Sequence, residues 1–144
     1  MIQAVKDLHD SGMAHLDIKP DNFVVKEDFK IALIDFGLSE NVNSVLTIRT
    51  GTPEYYPPEM MMRAELINYS AQQADIWTLG MSLFIVLALK RPYGIKDLKE
   101  DNYLRLIKER DFQGFFKAHS LDTLPESYKL RIFSCLSFEK SRRP

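Results

Sequence analysis

The sequence predicts an α+β fold that is mainly helical and carries one short β-hairpin. Apolar residues between positions 2 and 8 recur at helical spacing. Two short apolar runs, at 23–25 and 31–34, flank a polar turn and predict the hairpin. The almost continuous apolar run from 76 to 89 is typical of a helix that is buried on all sides.

The first half of the chain follows this pattern in order. Ser11 and Gly12 end the first helix, since both residues interrupt helical spacing. Glu27 and Asp28 lie in the polar turn between the two hairpin strands. From 38 to 50 the chain is polar and has no strong period, so we expect an irregular surface loop.

The second half is predicted to be helical. A central helix is expected from about 75 to 89, and the proline and glycine within 91–94 end it. Apolar residues within 104–107, and again within 130–136, indicate two further amphipathic helices that pack outside the central one.

Length and composition are those of one globular domain. The chain has 144 residues, enough to bury a core, with 45% hydrophobic and 27% charged residues. Its formal net charge of −1 provides no general attraction to nucleic acids or anionic membranes, and we expect neither as a partner.

The sequence favours an intracellular, cytoplasmic location. Its one cysteine, Cys135, excludes an internal disulfide and suits a reducing compartment, where we expect it to pack as a small apolar residue. The run from 76 to 89 is too short to span a membrane and contains Thr78 and Ser82. The mixed charges around Lys6 are unlike those of a secretory leader.

The stretch from 15 to 22 and the tripeptide that begins at Asp35 contain the groups that phosphoryl transfer to a hydroxyl requires. Asp17 can accept the proton of an attacking alcohol, and Lys19 can place a positive charge on the phosphoryl group. Asn22 and Asp35 offer hard oxygen ligands that suit Mg²⁺.

The order H-x-D-x-K-x-x-N, then D-F-G, resembles the catalytic loop (15–22) and the metal-binding loop (35–37) of eukaryotic-type protein kinases. G-T-P-E-Y-Y-P-P-E at 51–59, D-I-W-T-L-G at 75–80 and the final Arg-Pro follow in the order of that family. The chain therefore resembles the C-terminal lobe of a Ser/Thr protein kinase, a helical lobe whose short hairpin carries both loops. The resemblance makes residues 1–144 a partial kinase domain.

This resemblance implies ATP and Mg²⁺ as cofactors. Asp17 would be the base, Lys19 the electrostatic stabiliser, and Asn22 and Asp35 the metal ligands. Lys19, Asn22 and Asp35 would also bind the nucleotide, with Val24 under the adenine ring.

The resemblance makes 38–59 the activation and docking segment for a protein substrate. Thr52 would reach Asp17 and Lys19, a link typical of Ser/Thr kinases. Tyr55 and Pro57 would form part of the wall that receives the substrate's next residue.

Six residues would have structural roles. Asp75 would accept hydrogen bonds from catalytic-loop amides, and His15 would support the loop and Phe36. Glu59 and Arg143 would form a buried ion pair that fastens the docking segment to the lobe. The six are His15, Phe36, Gly37, Glu59, Asp75 and Arg143.

Four positions depart from the family pattern. Leu16 replaces an arginine that in many kinases receives an activation-loop phosphate, and Ile48 stands in the usual register of that phosphate. Pro57 replaces an alanine, which we expect to be harmless. Ile85 stands where kinases that prefer basic substrates often carry a glutamate, so no strict demand for an upstream arginine is expected.

The resemblance does not extend to an N-terminal lobe. The 144 residues contain no glycine-rich loop, no strand lysine for the phosphates and no partnering helix glutamate. We therefore expect this chain to be a fragment that requires a kinase N-lobe in cis and is inactive alone.

Two alternatives stay open. A small-molecule phosphotransferase shares the H-x-D-x-x-x-x-N loop, but the segments at 51–55 and 75–80 favour a site for protein chains. A non-catalytic kinase-like scaffold is the other. The missing N-lobe favours it for this chain alone, while four intact residues weigh against it in the parent protein: Asp17, Lys19, Asn22 and Asp35.

Overall fold

The apolar run in the middle of the sequence forms a long central helix. The computed structural model describes residues 1–61, 67–94 and 101–144. Helix α3 spans Ala71–Ala88, and its first turn is capped by the Ser70 hydroxyl, which accepts from the Gln73 amide at 3.3 Å. The helix therefore begins four residues before the predicted start, because the cap stands at Ser70. Leu89 ends it in the left-handed conformation, with φ of 53°.

The N-terminal part confirms the predicted helix and hairpin. Helix α1 spans Ile2–Asp10, followed by strand β1 at Met13–Ala14. Strands β2 (Phe23–Val25) and β3 (Ile31–Leu33) pair antiparallel as the hairpin.

The polar stretch after the hairpin is more ordered than its sequence indicates. Strand β4 (Glu40–Asn41) pairs antiparallel with β1, which joins the stretch to the segment before the catalytic loop. Strand β5 (Val45–Leu46) pairs antiparallel with β6 (Tyr69–Ser70). Each of these strands has two residues, too few for a period of two to be visible.

Four further helices complete the part of the chain that the structure describes. Helix α2 spans Pro58–Met61. Helices α4 (Asn102–Glu109) and α6 (Glu126–Cys135) are the two predicted from apolar spacing. Helix α5 (Phe112–Ala118) was not predicted, because its seven residues fill less than two helical turns. Three 3₁₀ turns occupy Pro20–Asn22, Pro53–Tyr55 and Lys140–Arg142.

The largest apolar core joins α3 to the three C-terminal helices. Gly80 lets α6 approach closely, since a Cβ atom there would lie 2.7 Å from Cys135 Cβ. Cys135 is buried, as predicted, and burial raises the pKa of its thiol to about 11. None of the described helices is both long and apolar enough to cross a membrane. Fully buried members of this core include Trp77, Met81, Phe84, Phe115 and Leu136.

Candidate active site

Asp17 receives four hydrogen bonds from three side chains and one backbone amide. Its Oδ1 accepts from the Thr52 amide at 2.9 Å and the Thr52 hydroxyl at 2.6 Å. Its Oδ2 accepts from Lys19 Nζ at 2.7 Å and from Asn22 Nδ2 at 3.3 Å. The predicted link of Thr52 to Lys19 is also present, because Lys19 Nζ donates to Thr52 Oγ1 at 2.9 Å.

These donors decide the charge of the Asp17 carboxyl. Burial raises its pKa, but the hydrogen bonds from Lys19 and Thr52 lower the pKa by more than burial raises it. The resulting pKa therefore lies below the ordinary value. The hydrogen bond to Asp17 in turn raises the pKa of Lys19. At neutral pH the site therefore pairs a carboxylate with an ammonium group, the two charges that a base and an electrostatic stabiliser need.

The catalytic loop is attached to the central helix through Asp75, which is fully buried. The amides of His15 and Leu16 donate to its carboxylate at 2.6 and 2.7 Å, which is the contact expected from the sequence. His9 Nε2 donates to the same carboxylate at 2.9 Å. The sequence reasoning missed His9, because a histidine near the end of an amphipathic helix is an ordinary solvent-side residue in such a pattern.

His15 lies between the two loops. Its Nδ1 accepts from the Asp17 amide at 3.2 Å, so the proton is on Nε2, which donates to the Ile34 carbonyl at 2.9 Å. Its ring meets that of Phe36 edge-on, with centroids 5.3 Å apart. The predicted contact with Phe36 is therefore present, and His15 has no free nitrogen for a base.

The hairpin brings Asn22 and Asp35 to the same end of its two strands. The Ile34 amide donates to the Asn22 carbonyl at 2.9 Å, which extends the β2–β3 pairing up to these two residues. The Asn22 side-chain amide donates to the Asp17 carbonyl at 2.8 Å, so its oxygen points away from that carbonyl.

Asp35 is exposed, and its φ of 62° places it in the left-handed region. Its carboxylate accepts only a long hydrogen bond, 3.4 Å, from the Gly37 amide among the contacts of the described residues. One carboxylate and one amide oxygen at adjoining strand ends fit Mg²⁺, which binds few protein oxygens and keeps waters or phosphates as its other ligands.

The hairpin has a half-exposed apolar face beside these ligands. Val24 and Ile34 are each 39% exposed, and Phe36 is 46% exposed. Apolar surface of this kind, next to polar ligands, is typical of a nucleotide-binding floor or of a surface that another domain covers.

The docking segment packs against the catalytic loop. A small pocket between them is lined by residues that include Asp17, Thr52, Tyr55 and Pro57. The guanidinium of Arg91 lies over the Tyr55 ring, 5.3 Å from its centroid, and donates to the Glu54 carbonyl at 3.2 Å. Arg91 is a second residue that the sequence reasoning did not place at the site.

Glu59 and Arg143 form the predicted ion pair. Two guanidinium nitrogens of Arg143 each donate to one carboxylate oxygen of Glu59 at 2.7 Å. The Arg143 side chain is fully buried, and it also donates to the carbonyls of Gln73 and Ser137. The pair therefore joins helix α2, the start of α3 and the C-terminal segment.

Comparison with known proteins finds relatives of one family. The model of the protein kinase domain matches residues 1–144. The ovarian-specific serine/threonine-protein kinase Lok of Drosophila melanogaster is 34% identical over 151 residues, which cover 100% of this chain and 30% of Lok. The calcium/calmodulin-dependent protein kinase type 1 of Macrobrachium nipponense is 31% identical over 146 residues, which cover 97% of this chain and 40% of that kinase.

The serine/threonine-protein kinase kin-29 of Caenorhabditis briggsae is 34% identical over 110 residues, which cover 73% of this chain. The aligned region amounts to 13% of kin-29, so the chain aligns with well under half the length of each of these relatives. The family resemblance seen in the sequence is confirmed by a match along the whole chain, and the chain belongs to the protein kinase family.

Proposed function

We propose that this chain supplies the catalytic loop and docking segment of a Ser/Thr protein kinase, which transfers the γ-phosphoryl group of ATP to Ser or Thr of protein substrates. The convergence of Lys19 and Thr52 on Asp17 supports this proposal most directly. In this proposal a base, a cation and a docking residue would surround the position of one incoming hydroxyl.

Asp17 acts as the base in this proposal. A carboxylate has about four acceptor positions, and four donors already occupy those of Asp17. The longest of these bonds, 3.3 Å from Asn22, is the one that an incoming hydroxyl replaces most easily. The substrate proton then passes to Asp17 Oδ2, while Lys19 remains beside the developing negative charge.

Asn22 and Asp35 would hold Mg²⁺. ATP would supply the phosphoryl group when bound, and the Mg²⁺ would neutralise part of the phosphate charge. Val24 would form the floor under the adenine ring, because it is a half-exposed apolar side chain on the strand that follows Asn22.

The proposal includes a second lobe in cis. The half-exposed apolar face at Val24, Ile34 and Phe36 supports this, because a covering lobe would bury it and exclude water from the phosphates. We therefore propose weak Mg²⁺-ATP binding and negligible transfer by the 144-residue chain alone. Calorimetry with ATP and a radiolabel assay on this chain test it, and sustained turnover by the chain alone would contradict it.

Two substitutions test the chemistry in a complete kinase domain that contains this chain. Asp17→Asn removes the base and Asp35→Asn removes a metal ligand, and general-base catalysis contributes about 10²–10⁴-fold. Asp122→Asn, an exposed carboxylate outside the site, is the matched control. Turnover by Asp17→Asn comparable to that of the control would exclude Asp17 as the base.

A kinase-like scaffold without activity is the second candidate. The complete occupation of Asp17 by four donors favours it, since the same bonds would stabilise a loop that never meets a substrate. Asp17→Asn and the parent protein would then bind a partner equally and both lack transfer. For either function we propose a cytoplasmic location, in keeping with one buried cysteine.

A further inference from the structure

The stretch between 40 and 46 is held on two sides by backbone pairing. Strand β4 pairs with β1, and the Val42 amide donates to the Gly12 carbonyl at 2.9 Å. Strand β5 pairs with β6, and the Ala71 amide donates to the Ser44 carbonyl at 3.0 Å. The stretch therefore bridges the segment before the catalytic loop and the start of the central helix.

An apolar cluster fixes the same stretch from its inner side. Leu16 of the catalytic loop is 5% exposed, and Tyr69 of β6 is fully buried. Leu46 of β5 packs against this cluster, while its neighbour Val45 is 61% exposed on the other face of the strand. The buried members of the cluster are Ala14, Leu16, Met60, Ile67, Tyr69, Ala71 and Ala74.

Tyr69 also holds the backbone that leads to the active site. Its phenol donates to the Ile48 carbonyl at 2.9 Å. One residue on, Arg49 Nε donates to the Met60 carbonyl at 2.7 Å. Four residues after Ile48 comes Thr52, whose amide and hydroxyl both donate to Asp17. A shift of the backbone at Ile48 would therefore move Thr52 relative to the base.

We propose that Leu46 and Tyr69 are positioning residues, which hold the segment leading to Thr52 in its ordered form by apolar packing and one hydrogen bond, without a phosphate group. Loops of this kind are commonly ordered by phosphorylation through new pairs with arginine. Leu16 stands in place of the arginine that receives such a phosphate in many kinases, and its buried apolar side chain cannot pair with a phosphate. The inference rests on the proposed kinase function only for its effect on activity.

The first test measures amide hydrogen exchange in the unphosphorylated 144-residue chain. Leu46→Ala removes packing from the cluster, and we expect the amides of 40–50 and of Ala71 to exchange about tenfold faster or more. Val45→Ala, on the exposed face of the same strand, should leave exchange unchanged. Leu46→Met, which conserves side-chain volume, should restore the protection. Equal exchange in the Leu46→Ala and Val45→Ala variants would overturn the proposal.

The second test measures kinetics in a complete kinase domain treated with phosphatase. Tyr69→Phe keeps the ring in the cluster and removes only the bond to Ile48, and we expect kcat to fall about tenfold while KM for ATP is unchanged. Tyr128→Phe, an exposed tyrosine on α6, is the control. Loss of parent activity on phosphatase treatment, restored by rephosphorylation of the loop, would contradict the proposal. A parent domain that shows no transfer even before phosphatase treatment would refute the proposed kinase function. The exchange test would remain valid in that case.

Discussion

A Cβ atom on Gly51 would lie 2.1 Å from the carbonyl oxygen of Leu16. Gly51 also has φ of +94°, a conformation that other residues rarely adopt. The docking segment therefore crosses the catalytic loop at a distance that only glycine allows. The amide of the next residue, Thr52, donates to Asp17 from this crossing.

We expect Gly51→Ala to separate the docking segment from the catalytic loop. Contact at 2.1 Å with backbone cannot be relieved by a rotamer change, so the segment must move and the bonds from Thr52 to Asp17 lengthen. Transfer activity should fall at least about a hundredfold, as for loss of a positioned catalytic contact. Steady-state kinetics in a complete kinase domain measures the change.

Gly12→Ala is the matched control for this substitution. Gly12 has a similar φ of +89°, but a Cβ atom there would meet nothing within 4 Å. It should cost about 1 kcal/mol of unfolding free energy through backbone strain alone and leave activity nearly unchanged. Similar activity losses in both variants would show that conformation, and not the close approach to Leu16, decides the effect.

Thr52→Val should raise the pKa of Asp17. Burial raises this pKa, but the hydrogen bonds from Lys19 and Thr52 lower it by more, so the net shift is downward. A group with a lowered pKa stabilises the fold above its unfolded pKa, and this contribution is lost as the pH falls through the folded value. Without the Thr52 hydroxyl, the stabilisation from the Asp17 carboxylate should be lost at a higher pH than in the parent. The acid limb of the pH–rate profile should move to higher pH for the same reason.

Titration of the Asp17 carboxyl carbon by NMR measures this shift directly. Thr47→Val removes an exposed hydroxyl five residues earlier in the same segment, one that makes no bond to Asp17 among the described contacts, and should leave the titration unchanged. An Asp17 pKa that is the same in the Thr52→Val variant and the parent would show that the Thr52 hydroxyl does not stabilise the carboxylate.

Glu59→Gln should destabilise the chain strongly. It leaves the guanidinium of Arg143 fully buried and without its charged partner, and breaking one side of a buried pair costs about 3–5 kcal/mol. Urea denaturation measures the free energy of unfolding. Glu109→Gln, in the exposed pair with Arg105, is the control and should cost less than about 1 kcal/mol. Equal costs would mean that the Glu59 pair contributes no more than a surface pair.

Peptide arrays should show transfer to serine and threonine without a strict requirement for an upstream arginine. The link of Thr52 with Asp17 and Lys19 is typical of Ser/Thr kinases, and Ile85 stands where kinases that prefer basic substrates often carry a glutamate. A complete kinase domain would be assayed on peptides that differ only in the acceptor residue or at the upstream positions. Predominant labelling of tyrosine would exclude the proposed specificity.

Motifs of adjacent residues made the site readable from the sequence. The resemblance carried by residues 15–22 and 51–59 predicted that Lys19 and Thr52 meet at Asp17, and the structure has both contacts. The contacts of Asp75 with the loop amides were likewise expected from the resemblance of 75–80 to the family motif. These contacts join distant parts of the chain, so the family pattern predicted them and local spacing did not.

Other contacts had no local signal. The pairing of Leu46 with Tyr69 joins two-residue strands 23 positions apart, and neither strand shows alternation. His9 reaches Asp75 only because α1 lies against α3, a packing that helical spacing does not specify. Helix α5 was missed for its shortness. Such features arise from tertiary packing, which overrides weak local preference.

The three donors to Asp75 have a consequence for the order of folding. His9, His15 and Leu16 precede Asp75 by 66, 60 and 59 positions. Leu16 is held at φ of 66°, a costly conformation for a branched side chain that persists only while its surroundings enforce it. We therefore expect the catalytic loop to take this shape only once the central helix has docked. Heat should inactivate the site in the same cooperative transition that separates the helices.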